Sequence, residues 1–261
     1  MLKNLRLLLI FTILLINLSM VSYAENDFAV IDEEYAIVSV HFEINPNSEY
    51  RLAVIKGDDK QYYPLVEADQ NFSLPFGDGS YTVAVYKKVE GQSYKLCEKE
   101  TFDVDVNGNA QFLASVYDIK WTPGDKIEKK AQELVQGASS TQEKVERIYA
   151  YVTNTISYDY SKVASISYGY IPNLKQTLST KSGICYDYAS LTAAMLRSVD
   201  VPTQLCMGYN SELSVYHSWN RVYIDGQWKI IDTTIDSVND NTNTSDAIYK
   251  DESEYSTKKV F

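Results

Sequence analysis

The sequence predicts an α+β protein in which an all-β N-terminal domain is followed by a mixed α+β domain. Residues 27–117 contain short segments rich in Val, Ile, Tyr and Phe that are separated by turn residues, a pattern typical of short strands. After residue 124, helix-capping residues and apolar residues at helical spacing take over. With 261 residues, the chain is long enough for two domains.

Residues 1–24 have the composition of a secretory signal peptide. Lys3 and Arg6 form a basic start, residues 7–16 form an apolar core, and residues 22–24 supply a small-x-small cleavage site. An uncleaved membrane anchor is the alternative interpretation of this segment. We expect an exported protein, secreted or associated with the cell surface, with no stable membrane insertion after signal cleavage.

Residues 25–118 are predicted to form a β-sandwich of immunoglobulin or fibronectin type. The absence of a Cys-Trp-Cys core argues against a true immunoglobulin domain. We expect this domain to be non-catalytic and to present or dock the rest of the chain. The candidate strands span residues 35–42, 51–55, 61–65, 80–86, 93–97 and 101–106.

Residues 119–261 are predicted to form the α+β domain, and residues 118–124 mark the boundary between the two domains. Asp125 can cap a first helix, and Ser140, followed three residues later by a glutamate, matches the capping box of a second helix. A Tyr- and Ser-rich loop is expected over residues 157–176, and the tail after Asp236 is polar.

Cys185 begins the most informative segment of the chain. Gly183 precedes it, and apolar residues then recur at helical spacing, at Ile184, Tyr188, Leu191 and Met195. The spacing predicts a buried helix with the cysteine in its first turn. There the unpaired backbone N–H groups and the positive end of the helix dipole favour a thiolate.

Three strands are predicted to follow this helix, near residues 203–209, 216–224 and 227–232. The dipeptide Asp225-Gly226 is a strong signal for a tight hairpin turn. His217 lies eight residues before Asp225 and Asp232 seven residues after it. The near-symmetric spacing predicts that the histidine and Asp232 lie at the same end of the hairpin.

Cys185, His217 and Asp232 occur in the order of a nucleophile, its base and the group that orients the base. The chain has one other histidine, His41, in a strand-like segment far away in sequence. Taken singly, the three residues would fit a buried structural cysteine, a core histidine and a turn cap. Their combination favours catalysis instead.

The motifs between about residues 130 and 240 resemble those of the transglutaminase-like superfamily, which has a papain-like cysteine fold. Asp200 occupies a position where that family usually has glycine. The resemblance implies that Cys185, His217 and Asp232 occupy the family's triad positions. The matching motifs are residues 183–189 (G-x-C-x-D-[YF]-A), 197–202, 208–209, 217–222 and 228–234.

The resemblance implies a thiol enzyme that acts on peptide or amide bonds, either a cysteine peptidase or amidase or a protein-glutamine acyltransferase. Extracellular protein or cell-wall peptide is the expected substrate. The backbone N–H of Cys185 is the first oxyanion candidate, and Tyr158 and Gln176 are the side-chain candidates. The alternative is a non-catalytic extracellular binding or scaffold module that retains the triad.

Composition excludes some partners. The formal net charge of −11 argues against nucleic acid, because phosphate binding needs a basic surface. Three cysteines, Cys97, Cys185 and Cys206, leave at least one thiol free, and we expect no structural disulfide. Metal-ligand spacings of cysteine and histidine are absent from the sequence, so we expect no metal and no other cofactor.

Overall fold

The computed structural model has an α+β architecture and describes residues 28–106, 108–167, 169–239 and 248–261. The predicted signal segment, residues 1–24, lies outside these ranges. Within them, no helix is both long enough and apolar enough to span a membrane.

The N-terminal half of the described chain consists of antiparallel strands: β1 (Ala29–Asp32), β2 (Ile37–His41), β3 (Tyr50–Lys56), β4 (Asp59–Leu65), β5 (Asp69–Ser73), β6 (Gly79–Glu90) and β7 (Ser93–Val104). They form one sheet of order β1-β2-β5 and another of order β4-β3-β6-β7. Val38 and Phe72 from the first sheet share a buried core with Leu52 and Val83 from the second. The predicted α+β class, with a β-rich N-terminal region, is confirmed.

The strands in this region differ from the prediction in three places. Residues 93–97 and 101–106, predicted as two strands, belong largely to the single strand β7. This strand lies at the edge of its sheet and is exposed along most of its length. Its charged central residues therefore face solvent without interrupting the strand. Strands β1 and β5 have no counterpart among the predicted strands.

The helices follow: α1 (Lys126–Val135), α2 (Thr141–Thr155), α3 (Tyr160–Val163), α4 (Leu174–Thr180), α5 (Cys185–Arg197) and α6 (Thr233–Asn239). The predicted caps of α1 and α2 are confirmed. Asp125 Oδ1 accepts from the N–H of Ile127 at 2.8 Å, and Ser140 Oγ accepts from the N–H of Glu143 at 3.1 Å. The Glu143 carboxylate accepts from Ser139 rather than closing the box onto Ser140.

The segment predicted as a loop over residues 157–176 contains regular structure. Strand β8 (Ser157–Tyr158) pairs in parallel with β9 (Ser182–Gly183). Asp159 and Asn173 side chains cap α3 and α4, respectively. Helices α3 and α4 are too short to show the apolar periodicity that indicates a helix in a sequence. This explains why the segment was predicted to be a loop.

The C-terminal sheet has five strands in the order β13-β12-β11-β10-β14. Its strands are β10 (Thr203–Asn210), β11 (His217–Ile224), β12 (Gln227–Ile231), β13 (Tyr249–Lys250) and β14 (Tyr255–Val260). The polar tail after Asp236 therefore includes two strands that the sequence analysis did not predict. Strand β14 pairs antiparallel with β10 at the far edge of the sheet.

Arg197, at the C-terminal end of α5, joins the two halves of the chain. Its buried guanidinium donates to the carbonyl oxygens of Thr203 at 2.9 Å, Ala114 at 2.7 Å and Phe261 at 2.9 Å. The Phe261 ring packs 5.6 Å, centroid to centroid, from Tyr63 of the β-rich region. The α5 helix is thus fixed to both halves of the chain.

Asp118 is a second buried polar group at this junction. Its carboxylate accepts from the Tyr186 hydroxyl at 3.1 Å. Burial raises the pKa of Asp118 to about 6, although the Tyr186 hydrogen bond and the Arg197 charge act against the rise. Tyr186 adjoins Cys185, so this junction extends to the start of α5.

We predict that Arg197→Met lowers the free energy of unfolding by about 3 kcal/mol or more, because each buried acceptor left unpaired costs on the order of 1 kcal/mol or more. Urea unfolding followed by circular dichroism measures the change. Arg221→Met is the matched control, since the partner of Arg221, Glu252, has a side chain that is 75% exposed. The control should lose less than about 1 kcal/mol. Equal losses in both variants would contradict the proposed role of Arg197.

Candidate active site

Cys185 occupies the first position of α5 and is partly exposed. The chain reaches it through β9, where Gly183 packs closely against the helix. A Cβ at position 183 would lie 2.6 Å from Asp187 Cβ, so a larger residue would displace the helix start. The N–H of Ile184 donates to Asp187 Oδ2 at 2.9 Å. These contacts leave the Cys185 N–H in the first helical turn, where no intrahelical acceptor exists.

The buried Asp187 carboxylate ties the helix start to the preceding segment. It accepts from Lys162 Nζ at 2.7 Å and Thr177 Oγ1 at 3.4 Å, and from the Tyr170 hydroxyl. Asp187 is fully buried, whereas the Lys162 side chain is 28% exposed. A buried carboxylate needs such partners. The sequence analysis missed Lys162 and Tyr170 because both lie in the predicted loop.

The β11–β12 hairpin brings His217 and Asp232 together as predicted. Asp225 and Gly226 have φ values of 51° and 81°, the left-handed conformations that a type I′ turn requires. His217 begins β11, and Asp232 directly follows β12. The distance from His217 Nε2 to Asp232 Oδ2 is 2.8 Å, and both side chains are buried.

Asp232 has further partners that fix its orientation. Its Oδ1 accepts from the N–H groups of Thr234 and Ile235, both at 3.1 Å, at the start of α6. Its Oδ2 also accepts from the Tyr255 hydroxyl at 3.2 Å. Asp232 thus acts as a turn cap and also holds the imidazole. The sequence analysis did not identify Tyr255 as a partner of Asp232, because Tyr255 lies in the polar tail, where no strand was predicted.

The pKa of His217 reflects opposing effects. Burial alone would lower it, but the hydrogen bond and charge of Asp232, with a smaller contribution from Cys185, raise the pKa above the usual histidine range. The charged imidazolium is therefore favoured. Since Nε2 faces Asp232, Nδ1 is the ring nitrogen left to exchange a proton with the sulfur of Cys185.

The two oxyanion candidates lie in different surroundings. Tyr158, on β8, is close enough to Cys185 to interact with its charge; burial, and then this charge, raise the pKa of Tyr158 to about 12. Its hydroxyl keeps its proton at neutral pH and can donate. Gln176 lies on an exposed part of α4 and lines a polar cavity of about 480 Å³ with residues such as Asp159 and Ser182. Cys185 is not among the residues that line this cavity.

The other two cysteines differ from Cys185 in their environment. Cys97 is exposed on β7, far from any histidine in sequence. Cys206 is buried in β10, and burial raises the pKa of its thiol to about 12. Among the three thiols, Cys185 alone combines partial exposure with a position at a helix start.

Comparisons with known proteins locate the similarity in the C-terminal half. Residues 128–233 match the transglutaminase-like superfamily. A Methanocaldococcus jannaschii protein, UPF0252 protein MJ1282, is 36% identical over 98 residues, which are 34% of this chain and 28% of that protein. Human kyphoscoliosis peptidase is 27% identical over 131 residues, which are 46% of this chain and 19% of the human protein. The chain thus spans less than a third of the length of these relatives.

Among solved structures, a candidate cysteine protease from Cytophaga hutchinsonii aligns with 77% of this chain and 73% of its own. Its sequence identity is 20% and the TM-score is 0.44.

We predict that His217 retains its proton to a higher pH than a free imidazole does, and that Asp232→Asn lowers its pKa by at least about one unit. An NMR titration can follow both imidazoles separately, because the chain has two histidines. His41, whose side chain is 50% exposed and lies in the β-rich region, provides an internal reference signal. An unchanged His217 titration in Asp232→Asn would show that the carboxylate does not hold the imidazolium.

Proposed function

We propose that residues 128–233, which match the transglutaminase-like superfamily, belong to an active thiol enzyme that acts on peptide or amide bonds through Cys185, His217 and Asp232. One observation carries the proposal. A partly exposed cysteine at a helix start interacts electrostatically with a buried histidine whose other face is held by a buried carboxylate. This is the arrangement that generates a nucleophilic thiolate near neutral pH.

The first step is the attack of the Cys185 sulfur on a substrate carbonyl carbon. His217 takes the thiol proton at Nδ1, and Asp232 accepts from Nε2–H and stabilises the resulting imidazolium. Because Asp232 receives N–H and O–H donors from three other residues, it cannot turn away from the ring without losing them. The ring is therefore oriented before the substrate arrives.

The carbonyl oxygen of the substrate becomes negatively charged in this step and needs hydrogen-bond donors to stabilise it. The Cys185 N–H, free of intrahelical partners, is one donor. The Tyr158 hydroxyl is the side-chain donor that we favour over Gln176, because Tyr158 interacts with Cys185 and stays protonated. Collapse of the intermediate breaks the C–N bond, and the imidazolium gives its proton to the leaving amine.

The product of this first half is a thioester between the substrate acyl group and Cys185. Water would hydrolyse it, as in a peptidase or amidase, and a second amine would take the acyl group, as in a transglutaminase. His217 can act as base for either acceptor, so the triad is common to both reactions. We propose extracellular protein or peptide as the substrate and secretion as the location, because residues 1–24 have the composition of a signal peptide.

A non-catalytic binding module is the second candidate function. If the protein is such a module, Cys185 should be unreactive, which distinguishes it from the thiol enzyme. The burial of His217 and Asp232, which is costly without a charged partner, favours the enzyme.

We predict that iodoacetamide at pH 6 labels Cys185 at least about tenfold faster than Cys97, because a helix start and an imidazolium favour the thiolate. Cys97 serves as an exposed internal control, and Cys206 should label only on unfolding because it is buried. His217→Ala should slow labelling of Cys185 and leave Cys97 unchanged. Peptide mapping by mass spectrometry gives all three rates. Equal rates at Cys185 and Cys97 would favour the binding module.

A further inference from the structure

An ion pair connects α3 to the first turn of α5. Lys162 Nζ, on α3, donates to Asp187 Oδ2 at 2.7 Å, and the same oxygen accepts from the N–H of Ile184 at 2.9 Å. The other carboxylate oxygen, Oδ1, accepts from the hydroxyl groups of Tyr170 and Thr177. The Asp187 carboxylate is therefore held from two sides, by the start of its own helix and by residues that precede that helix in the chain.

The hydrogen bond from Ile184 to Asp187 encloses Cys185. Ile184 is the residue before α5 begins, Cys185 is the first residue of the helix and Asp187 is the third. A carboxylate at the third position that accepts from the N–H of the residue before the helix is one half of a capping box, which fixes the helix start. The position of the Asp187 carboxylate therefore fixes the backbone on both sides of Cys185.

The segment that carries Lys162 is anchored to the strand that leads into Cys185. The N–H of Asp159 donates to the carbonyl of Gly183, on β9, at 2.9 Å. The Asp159 side chain accepts from the N–H of Lys162, also at 2.9 Å. Because the backbone of Lys162 is held in this way, its ion pair costs less conformational entropy than a pair between two mobile segments.

The burial of Asp187 makes a cationic partner necessary. Asp187 is fully buried, and its donors other than Lys162 are the uncharged groups of Ile184, Tyr170 and Thr177. In the part of the chain that the structure describes, Lys162 is the one basic residue that forms an ion pair with this carboxylate. A buried carboxylate that loses its cation must take up a proton or turn toward water. Either change weakens the bond that it accepts from Ile184.

Tyr170 belongs to the same cluster. Lys162 Nζ lies 4.7 Å from the centroid of the Tyr170 ring, which is a cation–π contact. The Tyr170 ring also packs edge-to-face against the ring of Tyr186, with centroids 6.2 Å apart. Tyr186 directly follows Cys185 in the chain. Tyr170 therefore contacts both of the residues that follow the proposed nucleophile in α5.

We propose that Lys162 and Tyr170 are positioning residues for the nucleophile: they hold the Asp187 carboxylate against the Ile184 N–H and so fix the helical turn from which Cys185 reacts. The inference rests on the proposed function and adds two residues to it. Neither residue exchanges a proton with the substrate or bonds to it. Their effect on the reaction is large because a small displacement of a reacting group slows its reaction by a large factor.

Lys162→Met and Lys162→Arg test the ion pair through the rate at which iodoacetamide labels Cys185 at pH 6. Lys162→Met should slow this labelling about tenfold and leave the labelling of Cys97 unchanged, whereas Lys162→Arg should keep the rate within about twofold of the wild type. The arginine has room, because Lys162 lines the polar cavity of about 480 Å³. Lys88→Met is the control, since Lys88 Nζ also lies 2.7 Å from a carboxylate, that of Glu49, but in the β-rich region. Equal Cys185 rates in Lys162→Met and Lys88→Met, or a slow rate in Lys162→Arg, would overturn the role of the ion pair.

Two further variants keep the inference testable if Lys162→Met does not fold. Tyr170→Phe removes one hydroxyl group and should slow the labelling of Cys185 about threefold, as expected for the loss of one hydrogen bond. Lys162→Met/Asp187→Asn removes both charges and keeps an oxygen that can accept from the Ile184 N–H. It should label faster than Lys162→Met, because no buried charge is left without a partner. Wild-type labelling in Tyr170→Phe would overturn the role of Tyr170, and a double variant as slow as Lys162→Met would overturn the role of the buried charge.

Hydrogen exchange separates the inference from the proposed function. The Ile184 N–H should exchange at least about tenfold faster in Lys162→Met than in the wild type or in Lys162→Arg, because its acceptor is no longer held in place. Faster exchange in a protein whose Cys185 and Cys97 label at equal rates would overturn the thiol enzyme and leave the hold of Lys162 on the helix start standing. Unchanged exchange, together with rapid labelling of Cys185 in Lys162→Met, would overturn the inference and leave the thiol enzyme standing.

Discussion

The candidate site depends on the hydrogen bonds that the buried carboxylate of Asp232 accepts. This carboxylate holds His217, the start of α6 and the Tyr255 hydroxyl at the same time. A buried carboxylate is costly unless its lone pairs are used, so these partners and the carboxylate stabilise one another. Three elements, β11, α6 and β14, therefore converge on one residue. The imidazole orientation follows from this convergence rather than from the hairpin alone.

The α5 helix supplies the other half of the site and is fixed at both ends. At its start, Asp187 joins the Ile184 N–H to Lys162, and Gly183 allows the close approach. At its end, Arg197 donates to carbonyls from three separate segments. The β-rich region contributes through this end, because its packing against Phe261 and its link through Ala114 hold the helix in place. The β-rich region thus supports the position of Cys185.

Much of the site could be predicted from sequence because its signals are local. The helix start at Cys185, the caps at Asp125 and Ser140, and the Asp225-Gly226 turn each depend on residues a few positions apart. The partners that lie far away in sequence could not be predicted in this way. Tyr255 reaches Asp232 across 23 residues and Tyr186 reaches Asp118 across 68. Such contacts are determined by the tertiary fold, and no periodic pattern in the sequence indicates them.

The boundary errors have a related cause. Strand β7 was divided because charged residues at a sheet edge resemble a turn, and α4 was missed because seven residues are too few to establish a helical period. Strand β14 was missed because it lies at an edge of the sheet, where its polar side chains are not buried in the core. For the two strands, solvent exposure removed the hydrophobic pattern on which sequence-based prediction depends.

The most direct test of the central claim is to capture the acyl-enzyme. The protein is mixed with a peptide substrate, quenched in acid within milliseconds to seconds, and measured by intact mass spectrometry. The account predicts a covalent thioester on Cys185, seen as the mass of the protein plus the acyl fragment, that disappears in His217→Ala and is lost on treatment with hydroxylamine. Turnover of the peptide with no adduct on Cys185, or an adduct of equal yield in His217→Ala, would contradict it.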